Sequence, residues 1–149
     1  MWIRPIEKTD IPALAELEKT CFTDPWNENM LTDMLNNKFD ETYLVEDCGK
    51  TIGYVNLRTL GDESELMRIC IAPDARGNGY SKLLMERALV AAKTNNASKI
   101  FLEVRESNAP AIGLYNKYRF AEMSRRAGYY TNPIEDAVVM QLLIFDNKT

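Results

Sequence analysis

The sequence predicts a mixed α/β domain in which helices flank a mostly antiparallel central sheet. Three observations support this fold class. The chain has 149 residues, the size of one ordinary domain. Hydrophobic residues make up 46% and charged residues 27% of it, so a core can be buried. Strand-like segments alternate with segments whose apolar residues recur at helical spacing, in the order βααβββαβαββ, and no linker divides residues 1–149.

The first half of the chain is predicted to contain a strand, two helices and an antiparallel meander. Residues 2–6 are the first strand, Thr9 or Asp10 can cap the first helix, and Asn27 precedes the second. The apolar positions of these helices are Ile11, Leu14, Leu17 and Cys21 in the first and Met30, Leu31, Met34 and Leu35 in the second. Turn residues then separate three strands, expected at residues 42–47, 51–60 and 65–71.

The pattern changes in the second half, after a loop that contains Pro73, Gly77 and Gly79. Residues 81–94 have helical periodicity, and residues 99–104 are typical of a strand. Asn108 can cap a helix that runs to residue 118, and two strands are expected at residues 120–126 and 137–145. This succession of strand, loop, helix and strand predicts a parallel crossover. α/β proteins commonly bind ligands at such a loop.

Composition excludes several classes of site. The 18 lysine and arginine residues against 22 aspartate and glutamate residues give a net charge of −4, so no nucleic-acid partner is expected. The absence of histidine excludes histidine-based triads and zinc sites. Cys21, Cys48 and Cys70 form no CxxC pair, so we expect no metal and no disulfide framework. Without a basic and then long apolar N-terminal segment, the protein is expected to be cytoplasmic, with no membrane partner.

The loop Arg76-Gly77-Asn78-Gly79-Tyr80-Ser81 leads directly into a predicted helix. Glycines allow backbone N–H groups to converge on an anion, and a helix N-terminus adds partial positive charge, so the loop could hold a pyrophosphate. An ordinary turn with a glycine hinge explains the same residues equally well. The loop is not a Walker A loop, because no Gly-Lys-Ser/Thr follows, and it is not a dinucleotide fingerprint, because the three-glycine spacing is absent.

The segment Arg76-x-x-Gly79-x-Ser81 resembles the acetyl-coenzyme A signature Arg/Gln-x-x-Gly-x-Gly/Ala of the GNAT acyltransferases. Ser81 departs from the last position, although its backbone can still donate an N–H. The predicted order of elements is also similar to that superfamily over essentially the whole chain. The resemblance implies the GNAT fold and acetyl-coenzyme A as co-substrate, with its pantetheine arm along the preceding strand. The implied cofactor-binding residues are Ile69, Cys70, Ile71, Arg76, Gly77, Asn78, Gly79, Tyr80, Ser81 and Lys82.

A second group of motifs narrows the resemblance. These motifs are Pro25-Trp26, Leu102-Glu103-Val104-Arg105-x-Ser107-Asn108, Leu114-Tyr115, Arg126-x-x-Tyr129-Tyr130 and Glu135-Asp136-Ala137. Together they resemble the RimI-type ribosomal-protein-alanine N-acetyltransferases. This implies direct acetyl transfer, in a ternary complex, to the N-terminal alanine of a basic ribosomal protein, small-subunit protein eighteen. The implied roles are Glu103 as general base, Tyr115 as general acid, Asn108 as a coenzyme A contact, and Trp26, Tyr129 and Tyr130 as substrate-binding residues.

Acetyl transfer to an amine can use these residue types. The reaction needs a neutral amine, a group that accepts its proton and a proton for the departing thiolate. An α-amino group, with a pKa of about 7.7 to 8.0, is roughly one quarter neutral near pH 7.4, so an N-terminal amine needs only a modest base. The thiol of coenzyme A resembles cysteine, with a pKa of about 8.5, so a tyrosine can protonate its thiolate.

The same residues also have structural explanations. Glu103 shares one strand face with Phe101 and Arg105 and could simply form ion pairs there, while Tyr115 has the spacing of a core residue. Cys70 is expected to be a core residue that forms no acyl-enzyme. Two other functions stay open: acetylation of a lysine, polyamine or small-molecule amine by the same fold, and a non-catalytic coenzyme A-binding module that regulates a partner.

Overall fold

The computed structural model describes residues 2–144 and confirms the predicted order of elements. The strands are β1 (Trp2–Pro5), β2 (Asp40–Asp47), β3 (Lys50–Leu60), β4 (Glu63–Ile71), β5 (Lys99–Arg105), β6 (Ala121–Tyr130) and β7 (Glu135–Leu143). The helices are α1 (Ile11–Cys21), α2 (Glu28–Asn36), α3 (Tyr80–Thr94) and α4 (Ala109–Lys117). Short 3-10 turns at Lys8–Asp10 and Pro73–Ala75 precede α1 and α3.

The strands form one seven-stranded sheet in the order β1-β2-β3-β4-β5-β7-β6. Every neighbouring pair is antiparallel except β4 and β5, which are parallel and joined through α3. Their pairing covers three residue pairs and ends where Glu65 lies opposite Phe101. Both strands continue for several residues beyond that pair, so the sheet is open between them.

A β-bulge in β4 accompanies this opening. Leu66 lies opposite Leu57 and Arg68 lies opposite Asn56, so Met67 is the extra residue. A bulge bends the strand that carries it. The bend comes two residues after the last pair with β5, which is where the two strands separate.

Two helices pack on the strands that precede this opening. α1 packs on β3 and β4, and α3 packs on β2, β3 and β4. Two predicted helix starts are confirmed. α2 begins after Asn27, whose side chain accepts a hydrogen bond from the N–H of Met30 at 2.9 Å, and Asn108 caps α4 by accepting one from Ala111 at 3.2 Å. These short-range bonds fix where α2 and α4 begin.

Two details of the sequence prediction are wrong. Met30, expected on the buried face of α2, is 45% exposed, because the buried stripe of this helix centres on Leu31 and Met34. β6 continues to Tyr130 rather than ending at residue 126. β6 is an exposed edge strand, and its pairing with β7 shifts register. Its second half therefore lacks the alternation of apolar and polar residues by which a strand is predicted from sequence. The predicted end of β7 at residue 145 lies outside the described residues.

A buried carboxylate joins α1 to the sheet. Glu18 is fully buried and accepts hydrogen bonds from the Tyr54 hydroxyl at 2.6 Å and from Arg68 Nη2 at 2.9 Å. It also accepts one from the N–H of Trp26 at 2.7 Å. Burial and the neighbouring carboxylate raise the pKa of Tyr54, so this hydroxyl remains a donor. Glu18 therefore connects α1, β3, β4 and the segment between α1 and α2.

Replacing Glu18 should strongly destabilise the fold. Glu18→Gln leaves the guanidinium of Arg68 without a charged partner, and breaking a buried ion pair in this way costs about 3 to 5 kcal/mol. Urea unfolding measures the loss. The control is Glu16→Gln on the same helix, where an exposed carboxylate pairs with Lys19 at 3.2 Å and should contribute less than about 1 kcal/mol. Equal losses in the two variants would contradict the role of Glu18.

Candidate active site

The opening between β4 and β5 contains two adjoining cavities. The first, which we call the loop cavity, has a volume of about 340 Å³ and lies between the end of β4, residues 75–81 and the start of α4. The second, the β5 cavity, has a volume of about 240 Å³ and lies between residues 21–24, β4, the end of β5 and Tyr130. Ile69, Asn108, Ala111 and Tyr115 line both. A ligand in one cavity can therefore meet a ligand in the other.

The loop cavity faces a helix N-terminus with open space in front of it. Gly77 and Gly79 have φ angles of +82° and +83°, a region in which other residues are strained. The first helical hydrogen bond of α3 runs from the N–H of Leu83 to the carbonyl of Gly79, so the preceding N–H groups of the first turn can bind a ligand. A Cβ added at either glycine would meet no protein atom within 4 Å. This geometry suits an anion such as a pyrophosphate.

Side chains of the loop hold its shape. Arg76 Nε donates to the carbonyl of Ile71 at 3.1 Å, and the amide of Asn78 donates to the carbonyl of Ala75 at 2.9 Å. The predicted cofactor-binding residues that line the loop cavity are Ile69, Cys70, Ile71, Arg76, Gly77, Gly79, Tyr80, Ser81 and Asn108. Asn78 and Lys82 are not among its lining residues. For Asn78, the structure shows a role in shaping the loop.

The edge of β4 that faces β5 is available to an extended ligand. Beyond Glu65, the described part of β4 has no strand partner on this side. Backbone N–H and carbonyl groups at such an edge need hydrogen-bond partners. Residues 69–71, along which the resemblance places the pantetheine arm, lie on this edge.

Glu103 lies in the wall of the β5 cavity. Its side chain is 16% exposed, and Oε1 lies 3.4 Å from Arg126 Nη2. Hydrogen bonding to this carboxylate raises the pKa of Tyr129. Glu103 thus forms an ion pair with Arg126, as its structural explanation expects. It also faces a space that an acceptor can enter.

Tyr115 lies where the two cavities meet. Only 6% of the residue is exposed, and its ring centroid lies 5.8 Å from that of Phe120. Within residues 2–144 its hydroxyl has no hydrogen-bond partner. Burial, with a smaller effect from Tyr130, raises the pKa of Tyr115, so the phenol stays protonated in the physiological range. Tyr115 is both a core residue, as its spacing indicated, and a donor at the junction.

The three predicted substrate-binding residues have different positions. Tyr130 lines the β5 cavity, and burial raises its pKa to about 12. Tyr129 packs edge-on against Tyr130 at 5.1 Å but is 50% exposed. Trp26 lines neither cavity; its ring lies 4.5 Å from the guanidinium of Arg68, which does line the β5 cavity. Trp26 therefore lies next to a cavity residue, and its contact with substrate stays a prediction.

Sequence reasoning missed Cys21 and Arg68 as cavity residues. Cys21 ends α1, and its Sγ lies 3.4 Å from the carbonyl of Ile71. Hydrogen bonding with Cys70, and with Arg76, lowers the pKa of Cys21 to about 7. The hydrogen bond with Cys21 and burial raise the pKa of Cys70, which is buried as expected. Neither Cys21 nor Arg68 belongs to a recognisable motif, so only proximity in the fold shows their position.

Comparison with known proteins identifies the family. Residues 11–120 match the model of the Acetyltransferase (GNAT) family. The chain belongs to the GNAT family. It is 34% identical over 141 residues to the [ribosomal protein bS18]-alanine N-acetyltransferase of Haemophilus influenzae, covering 93% of this chain and 95% of that protein. The enzyme of the same name from Escherichia coli K12 is 31% identical over 144 residues, covering 95% and 97%.

A solved structure agrees with this assignment. The crystal structure of the ribosomal-protein-S18-alanine N-acetyltransferase from Escherichia coli aligns with a TM-score of 0.89 at 28% identity, covering 99% of this chain and 97% of that one. The GNAT fold predicted from the sequence is therefore confirmed, and the chain is an acetyl-coenzyme A-dependent N-acetyltransferase. The residues of the loop cavity fit this co-substrate, because an anion-binding helix start and an unpaired strand edge adjoin. In residues 2–144 no helix is long and apolar enough to span a membrane.

The loop of this GNAT enzyme should be essential for binding acetyl-coenzyme A. In Gly79→Ala a side chain enters the space in front of the N–H groups and strains a positive φ, so the rise in melting temperature caused by acetyl-coenzyme A should be largely lost. Gly61→Ala is the matched control, because Gly61 also has a positive φ and open space but lies in the turn between β3 and β4. An unchanged thermal shift in Gly79→Ala would remove the loop from the cofactor site.

Proposed function

We propose that this enzyme transfers acetyl from acetyl-coenzyme A to the N-terminal alanine of ribosomal protein bS18, in one step within a ternary complex. The names of the relatives over nearly the whole chain support the acceptor. The observation that carries the proposed mechanism is the position of Tyr115 in both cavities, with Glu103 in the wall of the β5 cavity. One cavity can hold the thioester while the other holds the amine.

The proposed step begins with attack of the amine nitrogen on the thioester carbonyl carbon. The C–N bond forms and the C–S bond breaks, while the amine proton passes to Glu103, directly or through water. Tyr115 donates its hydrogen bond, and then its proton, to the departing sulfur. The raised pKa of Tyr115 keeps the phenol protonated until the thiolate forms. The phenolate left by the transfer is a stronger base than the thiolate, so it regains a proton from water.

The acceptor and the setting of the enzyme follow from the same proposal. A net charge of −4 favours a basic partner such as a ribosomal protein over a nucleic acid. We also propose that residues 1–149 act as a single domain in the cytoplasm, where ribosomal proteins are made. The continuous seven-stranded sheet supports a single folding unit.

Removing either proposed catalytic group should slow turnover. General acid–base assistance is worth about 100 to 10,000-fold, so Glu103→Gln and Tyr115→Phe should each lower kcat by a factor in that range on an alanine-initiated peptide. The thermal shift caused by acetyl-coenzyme A should change little, since neither substitution alters the loop. Near-normal turnover in both variants would refute the mechanism.

The two defects should depend differently on pH. Above about pH 8 most of an α-amine is already neutral, so the Glu103→Gln defect should shrink as pH rises. The raised pKa of Tyr115 keeps the wild-type phenol protonated there, so the Tyr115→Phe defect should persist. Profiles of kcat/KM from pH 6.5 to about 9.5 separate these outcomes. Parallel profiles for the two variants would contradict the assigned roles.

A direct transfer predicts that neither cavity cysteine carries the acetyl group. Cys21 is the stronger candidate for an acyl-enzyme, because its pKa is lowered to about 7 and it lines the β5 cavity. Cys21→Ala and Cys70→Ala should both retain substantial turnover. Mass spectrometry of the enzyme incubated with acetyl-coenzyme A alone is the second measurement. An acetyl group on either cysteine that is released on adding peptide would establish a two-step route instead.

The acceptor class can be determined with four compounds. We expect acetylation of an alanine-initiated peptide with the bS18 N-terminal sequence, and none of the same peptide with a blocked N-terminus. A lysine-containing blocked peptide and spermidine test the other amine acceptors. Coenzyme A release and peptide mass spectrometry are the readouts. Preferred acetylation of lysine or spermidine would overturn the proposed acceptor, and no release with any compound would favour a non-catalytic role.

A further inference from the structure

Two segments far apart in the sequence come together beside the β5 cavity. The first segment is residues 22–24, which follow α1, and the second segment is residues 130–135, where β6 ends and β7 begins. Residues 22–24 and Tyr130 line the cavity directly. The way these two segments are held together therefore affects the shape of the space available to an acceptor.

The guanidinium of Arg105, at the end of β5, lies between these two segments. Toward the first segment, Nη2 donates to Thr23 Oγ1 at 3.2 Å and to Asp24 Oδ2 at 3.1 Å. Toward the second segment, Arg105 donates to the carbonyl of Thr131 at 2.6 Å, to that of Pro133 at 2.9 Å and to the carboxylate of Glu135 at 3.3 Å. Its guanidinium also packs on the ring of Tyr130, 4.6 Å from the centroid.

Each segment has an additional anchor, but Arg105 joins them. Arg68 donates to the carbonyl of Asp24 at 2.9 Å, and the N–H of Ser107 donates to Glu135 Oε1 at 2.6 Å. In the described part of the chain, residues 2–144, no other side chain hydrogen-bonds to both segments. The Arg105 side chain is 20% exposed, so its contacts are partly shielded from water.

We propose that Arg105 is a positioning residue that holds these two segments together and thereby sets the shape of the β5 cavity and the affinity for the acceptor peptide. Arginine suits this role because its planar group presents several N–H donors in fixed directions, whereas lysine presents one compact charge. The proposal rests on the proposed function, since it takes the β5 cavity as the acceptor site. Within residues 2–144, no hydrogen bond or ion pair joins the Arg105 side chain to residues 76–82, so cofactor binding should be independent of it.

Steady-state kinetics on the alanine-initiated peptide test the proposal. Displacement of a binding group by about 1 Å can cost on the order of 100-fold, so Arg105→Gln should raise the peptide KM roughly 10 to 100-fold. The kcat and the acetyl-coenzyme A thermal shift should stay within about twofold of wild type. Arg105→Lys should not restore the peptide KM. The control is Arg125→Gln, because Arg125 also bonds two carboxylates, those of Glu106 and Glu122, but on the exposed face of β6.

Hydrogen exchange provides a readout that does not depend on the acceptor. In Arg105→Gln, the amides of residues 23, 24, 131 and 132 should exchange faster, while those at the start of α3 should not. If wild type acetylates no peptide, the proposed function fails, and the exchange result still tests whether Arg105 joins the two segments. An unchanged peptide KM, its restoration by Arg105→Lys, or unchanged exchange in either segment would overturn the inference. Equal loss of peptide and cofactor binding would also overturn it, because that would indicate general misfolding.

Discussion

The separation of β4 from β5 is the feature on which the rest of the site depends. These parallel strands pair over three residue pairs and then diverge, next to the bulge at Met67. The divergence leaves an edge of β4 without a strand partner and opens the sheet to both cavities. A continuous pairing would fill this space with hydrogen bonds between the strands. Part of the sheet, with its stabilising hydrogen bonds, is thus missing at the proposed substrate site.

Where β4 and β5 no longer pair, two arginine side chains connect the neighbouring segments. Arg68 on β4 binds Glu18 and the segment after α1, and its guanidinium lies 3.9 Å from the ring of Phe22 and 4.5 Å from that of Trp26. Arg105 on β5 makes comparable contacts and packs on Tyr130. A planar cation can form hydrogen bonds at its edge and stack through its face at the same time. Both sides of the opening are thereby held by polar groups that remain next to the cavity.

The two proposed catalytic groups have contrasting environments. Tyr115 is buried among apolar residues, which favours its neutral form. Glu103 faces the β5 cavity beside Arg126 and close to Tyr129. A protected proton donor and an accessible carboxylate suit a reaction that begins with a proton to remove and ends with a thiolate to protonate. Because no residue of the chain is a histidine, this division of roles uses only a carboxylate and a phenol.

The sequence was enough to predict the order of elements, the start of α2 after Asn27, the cap at Asn108 and the position of the loop at residues 76–81. These features depend on residues within a few positions of one another, where periodicity, capping and glycine spacing act locally. It also named Glu103 and Tyr115, through motifs shared with a family. Three placements could be seen only in the fold: Cys21 lines the β5 cavity, Trp26 packs against Arg68, and Arg105 reaches both Thr23 and Thr131. Those contacts join residues as many as 82 positions apart, and no local pattern encodes the distance between elements that meet only after folding.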